Sequence, residues 1–182
     1  MTILGIVLVA AAASIVWRTV QRWWTYRGER VVTCPESHTA AGISLNTSHL
    51  AAQPFAKSPN LQLSSCSRWP ERAGCGQECL RQVEAAPEDC LVRNILVRWY
   101  TGKRCASCGQ PFGDISLAGV KPAVLCADKK SVEWNEIPAE RLAETLANAV
   151  PICFACHMGS TLVRTHPELA LDRHRPADGI ER

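Results

Sequence analysis

Cys105-Ala106-Ser107-Cys108-Gly109 and, beyond a long insert, Pro151-Ile152-Cys153-Phe154-Ala155-Cys156-His157 are the stretches that decide how this chain reads. Each CxxC pair can wrap one side of an ion, and Zn²⁺ favours four sulfur ligands in a tetrahedron at about 2.3 Å. Gly109 follows the first pair at the position where a tight knuckle calls for positive φ. Pro151 limits the chain that enters the second pair. Cys105, Cys108, Cys153 and Cys156 are therefore the expected metal ligands. Zinc is the expected ion, and iron is the alternative that four thiolates accept equally. A shell of four thiolates leaves no open position for water, which points to a structural site and not a catalytic one.

Residues 104–109 and 151–157 resemble the paired knuckles of zinc ribbons and of rubredoxin-like domains. The resemblance implies a ribbon interrupted by the insert Gly109–Ile152, with His157 where many second knuckles carry glycine. The same residues support a competing reading, since Cys153-Phe154-Ala155-Cys156-His157 matches the CxxCH attachment motif of c-type haem. Two thioethers from Cys153 and Cys156 would fix the porphyrin and His157 would bind iron. That reading needs an exported domain and leaves Cys105 and Cys108 without a role. A thiol-redox CxxC is a third reading, but such motifs open a helix after a strand, and Cys105 follows a helical pattern instead.

Ten of the 182 residues are cysteine, and a second group lies upstream. Cys66, Cys75 and Cys79 come close in sequence, and four-residue spacing would put Cys75 and Cys79 on one face of a helical turn. Cys34 or Cys90 is the candidate fourth ligand, with His38 and His49 as further options. The expected second site is Cys34, Cys66, Cys75 and Cys79, while Cys90 and Cys126 read as buried small hydrophobes.

Outward from the cysteines, the N-terminus sets the compartment. Ile3 to Trp17 carries no charge, and extension to Val20 is interrupted only by Arg18. At 1.5 Å per residue this run is just long enough for a hydrocarbon core of about 30 Å. Arg18 can snorkel, and Trp17, Trp23, Trp24 and Tyr26 suit an interface belt. A cleaved signal peptide would need a positive segment before the apolar run, and the positive charges follow it instead. The net charge of +3 comes from Arg18, Arg22, Arg27 and Arg30 against Glu29. The positive-inside rule then places the soluble part in the cytoplasm. Thiols are kept reduced there, which favours metal over disulfides. Once that cluster is set aside, no basic stripe with interleaved aromatics remains for nucleic acid.

The remaining patterning predicts an α+β fold: a transmembrane helix, then a small cysteine-rich, metal-stabilised domain with an interrupted zinc-ribbon-like C-terminal half. The expected divisions are an anchor at 1–24, a basic exit at 25–33, a cysteine-rich helical region at 34–102, the split ribbon at 103–158 and a loose tail at 159–182. Strands are expected at Val31–Thr33, around Ile43–Leu45 and Leu61–Leu63, and at Ile115–Leu117, with 38–58 equally readable as a linker. Asp128-Lys129-Lys130 should turn Ala123–Cys126 into Ser131–Trp134 as a hairpin. Helices are expected at Gln77–Ala85, across Leu91–Trp99 and at Ile137–Val150, the last stopped by Pro151. No phosphate-binding glycine loop, HExxH or GxSxG occurs. The expected function is a non-catalytic, membrane-anchored zinc protein, held in the membrane by residues 3–20, that serves as an adaptor or accessory subunit with a protein partner in a membrane complex. A membrane-anchored c-type cytochrome and a thiol redox protein are the alternatives.

Overall fold

The charge-free apolar run Ile3–Trp17 builds most of the first helix, α1 (Thr2–Tyr26), with Arg18 and Arg22 in its last part. The segment Ile3–Tyr26 is long and apolar enough to span a membrane, a property that signal sequences share. The computed structural model describes residues 2–56, 58–113, 115 and 121–169. These fall into two compact units, one of residues 2–98 with 138–142, the other of 99–137 with 143–169.

In the first unit, Gly28 at φ +100° ends the helix, and β1 (Arg30–Thr33) begins two residues later. Helix ends leave carbonyls without partners, and here Arg30 supplies the donors. Its Nη1 donates to the carbonyls of Tyr26 at 2.7 Å and Gly28 at 3.1 Å, and its Nη2 to Thr25 at 2.7 Å. The residue has no exposed surface.

β1 pairs antiparallel with β2 (Ala40–Leu45), in register Val32 to Ala41. β2 pairs in turn with β3 (Leu63–Cys66), Ile43 opposite Cys66. The linker reading of 38–58 is thereby corrected over its first half: β2 is followed by α2 (Thr47–Ala51), capped by Asn46, whose side chain accepts from the His49 N–H at 3.1 Å. Val32, Ile43, Leu45, Leu50, Leu63 and Val83 form the core, Val83 coming from α3 (Leu80–Ala85).

Gly42 in β2 is hemmed in by the 3-10 turn Ala139–Arg141, and a Cβ there would lie 2.9 Å from the Ala139 Cβ. Gly42→Ala is expected to cost about 1–3 kcal/mol, the range for overpacking a tight contact. A denaturant titration that left the midpoint unchanged would mean the turn yields freely.

α4 (Val92–Tyr100) follows, with Leu91, Val92, Leu96 and Tyr100 buried as its helical spacing anticipates. In the second unit, β4 (Ala123–Leu125) and β5 (Ser131–Glu133) form the expected hairpin, and Lys129 takes φ +62° in its turn. Tyr100 donates its hydroxyl to the Ala123 carbonyl at 2.8 Å, and burial pushes its phenol pKa well up.

Three expectations change here. The helix expected over Ile137–Val150 is shorter: α5 spans Leu142–Asn148, and Val150–Ile152 is a strand, β6, at the edge of the order β5-β4-β6. An edge strand tolerates Pro151 because one side of its backbone needs no ladder bond. The loose tail begins later than expected, since α6 runs over Phe154–Thr165. Cys126 sits one residue past β4 and is partly exposed, not a core strand residue. The strand expected at Ile115–Leu117 falls largely outside the described residues, and Ile115 itself is irregular.

Candidate metal centre

Two backbone devices bring the four C-terminal cysteines together. The first is a knuckle over 105–110: the Cys105 N–H donates to the Gln110 carbonyl at 2.8 Å, and the Gly109 N–H donates back to the Cys105 carbonyl at 2.9 Å. Closing this loop requires Gly109 at φ +72°, as the sequence anticipates. The second is the passage from β6 into α6. Cys153 is the N-cap of α6 and Cys156 lies within its first turn, so both thiols sit at the start of one helix. The Ala106 N–H to Pro151 carbonyl bond, at 2.8 Å, ties the knuckle to β6.

The four sulfurs lie within 4.8 Å of one another, and the Cys108 and Cys153 sulfurs are 3.8 Å apart. Sulfurs bonded at about 2.3 Å to one tetrahedral ion stand about 3.8 Å apart along each edge. A disulfide needs about 2.05 Å, so the 3.8 Å spacing is that of a metal edge and not of a covalent bond. The donor set therefore fits a metal ion such as zinc.

The electrostatics agree with that fit. Burial works against a Cys105 thiolate, but backbone N–H groups of Cys108, Cys153 and Ser107 outweigh it and bring its pKa down to about 6. The Cys153 N–H reaches the Cys105 sulfur at 3.3 Å. Cys156 receives a stabilising hydrogen bond involving Ser107, yet its neighbours Cys153, Cys108 and Cys105 push its pKa up to about 12. One thiol ionises readily, and another keeps its proton because the neighbouring sulfurs share it in hydrogen bonds.

That contrast fixes the sign of the pH dependence. Metal must displace the Cys156 proton, so apparent affinity should rise at least tenfold per pH unit near neutrality. Below about pH 6 the slope should steepen as Cys105 also takes up a proton. Competition with a chromophoric chelator between about pH 5 and 8 checks this, and a flat profile would exclude thiolate ligation.

His157, the remaining member of the CxxCH motif, is only 8% exposed, and its Nδ1 lies 2.9 Å from the Ser131 hydroxyl. It is held in the protein against β5. This contact was not legible in the sequence, where His157 reads as a ligand or a neighbour of one.

The upstream cysteines are placed differently from one another. Cys34, Cys66, Cys75 and Cys79 all line one cavity of about 250 Å³ in the first unit. Cys75 precedes α3 and does not share a helical turn with Cys79, which corrects the spacing argument. Cys90 packs beside the core, where burial pushes its thiol pKa up and the Arg30 guanidinium pulls it back. Neither His38 nor His49 lines the cavity. No family profile matches the chain, and no curated protein or solved structure matches it either.

Proposed function

We propose that this chain is a membrane-anchored zinc protein without catalytic activity, acting as an accessory or adaptor subunit of a membrane complex. The observation that carries the reading is the cluster of Cys105, Cys108, Cys153 and Cys156, whose spacing matches one tetrahedral ion. Four protein thiolates fill a zinc shell and leave no place for a reacting water. The anchor is α1, none of whose apolar window is buried within the chain. Arg18, Arg22 and Arg27 follow or end that window and support a cytoplasmic soluble part, where thiols stay reduced.

The haem alternative has less support. A haem at Cys153 and Cys156 would withdraw two of the four clustered thiolates, and His157 is already engaged with Ser131. A redox role would need an accessible thiolate, whereas Cys105, the thiol that ionises most easily, is only 2% exposed.

The test is a visible spectrum and total metal content on full-length protein purified from its native membranes. Colourless protein carrying zinc is the expected result. A covalent haem would overturn the reading in favour of an exported electron carrier, and non-haem iron would move the function to redox. A topology reporter fused after Arg182 should report the cytoplasm, and an exported signal would sink the cytoplasmic account.

A further inference from the structure

The loop that follows β1 repeats, bond for bond, the knuckle that presents Cys105. The Cys34 N–H donates to the Thr39 carbonyl at 2.8 Å, as Cys105 does to Gln110 at 2.8 Å. The His38 N–H returns to the Cys34 carbonyl at 2.8 Å, as Gly109 does to Cys105 at 2.9 Å. The fifth residue of each loop has positive φ, +52° at His38 and +72° at Gly109. The sulfur of Cys34 is bonded by the Ser37 side chain and by the backbone of Glu36 and Ser37, two and three residues on, as the Cys105 sulfur is by the backbone of Ser107 and Cys108. A backbone that aims N–H groups at a sulfur is built for a thiolate. Ser37 stands where the other knuckle has Cys108, so this loop brings one thiol and the remaining ligands must come from elsewhere.

They are at hand. The end of β3 supplies Cys66, the loop before α3 supplies Cys75, and the N-cap of α3 supplies Cys79, all facing one cavity with Cys34. Arg68 and Arg72 line the same cavity. The Arg68 Nε is buried without a hydrogen-bond partner among the described residues. Four thiolates around a divalent ion leave a net charge of −2; Arg68 offsets part of it, while Arg72 is paired with Glu36 at 3.3 Å. The four sulfurs are not drawn within 4.8 Å as the C-terminal four are. Binding one ion must draw them closer, and beside Gly74, next to Cys75, there is open space.

We infer that Cys34, Cys66, Cys75 and Cys79 form a second centre for a thiophilic divalent cation of the zinc type. It is independent of the C-terminal four cysteines and gives each unit of the chain its own ion.

The experiment uses full-length protein in detergent, purified under reductant, with zinc as the probe. Elemental analysis of the wild type should give about twice the zinc per chain found in Cys75→Ser, and Cys105→Ser should also fall to half. A Cys75→Ser protein that keeps the full wild-type zinc content would overturn the inference. Alkylation of the unmutated holoprotein, read by peptide mass spectrometry, removes dependence on any variant's folding. Cys34, Cys66, Cys75 and Cys79 should be protected together and released together by chelator. Labelling of these four at the rate of free thiols, or their recovery as disulfides, would overturn the inference. Zinc that survives Cys105→Ser undiminished but is lost in Cys75→Ser would leave this centre standing and defeat the C-terminal one.

Discussion

Cys105→Ser should unfold the second unit outright. Metal binding in small zinc domains contributes on the order of 10–16 kcal/mol to folding, as much as the whole net stability of an ordinary domain, about 5–15 kcal/mol. The apolar packing at the site is thin by comparison. The cluster of buried residues beside the cysteines consists of Cys105 itself, Ala123 and Ile152, with Phe112 and Leu125 only partly buried. Cys105 is the right target because it is the most deeply buried of the four and sits at the base of the knuckle. The variant should lose its metal, and protease should then cut within residues 99–137 and 143–169 under conditions where the wild type is resistant. Chelator added to the wild type should reproduce that cutting, and zinc should reverse it. Undiminished protease resistance in metal-free protein would mean that packing alone holds this unit, and that the cluster is not its structural keystone.

The clustering of those four cysteines was legible because two CxxC pairs fix thiol positions by chain geometry alone, and Gly109 flagged the turn that closes the first. The strand between α5 and Cys153 was not legible. Val150-Pro151-Ile152 continues an apolar helical periodicity through Leu142 and Leu146, and Pro151 argues against a strand unless the strand is known to be an edge. Only pairing with β4, which no local pattern encodes, makes it one. α6 was missed for a similar reason. Its N-cap is Cys153, with no hydroxyl or carboxamide to announce a start, and its inward contact is polar, through His157 and Ser131. In the first unit the four cysteines were singled out by sequence, but the link between Cys75 and Cys79 was drawn from helical spacing. What joins them is a shared cavity reached from three separate segments. The Cys34 knuckle gave no sequence signal, because His38 takes the positive φ that glycine would advertise.

Arg30 also looked ordinary in the sequence, as one of four arginines in a basic cluster, yet its replacement should give a large loss of stability in the first unit. Its guanidinium is buried under the end of α1 and donates to three carbonyls, those of Thr25, Tyr26 and Gly28. Burial lowers its pKa, while Cys90 and Glu88 draw it back up. Arg30→Met keeps much of the length and the apolar stem but strands all three acceptors, each at about 1–3 kcal/mol when left unsatisfied. With some rehydration at the frayed helix end, a loss of about 3–5 kcal/mol is expected from these unmade bonds. Arg30→Lys should recover only part of it, since a single ammonium cannot match a planar fork that reaches two sides at once. Arg27→Met is the control. Its guanidinium lies 3.3 Å from the Trp24 ring centroid, and loss of such a stacked cation at an open site costs about 1 kcal/mol or less. Denaturation of the three variants in detergent decides the matter, and equal midpoints for Arg30→Met and Arg27→Met would sink the argument. The consequence reaches function because Arg30 is at once the cap of α1 and the first residue of β1. In the proposed membrane reading, α1 is then fastened rigidly to the sheet it precedes and does not swing on a tether. Arg30→Met should loosen that joint, and proteolysis at Arg27–Glu29 should become faster while the protein remains membrane-bound.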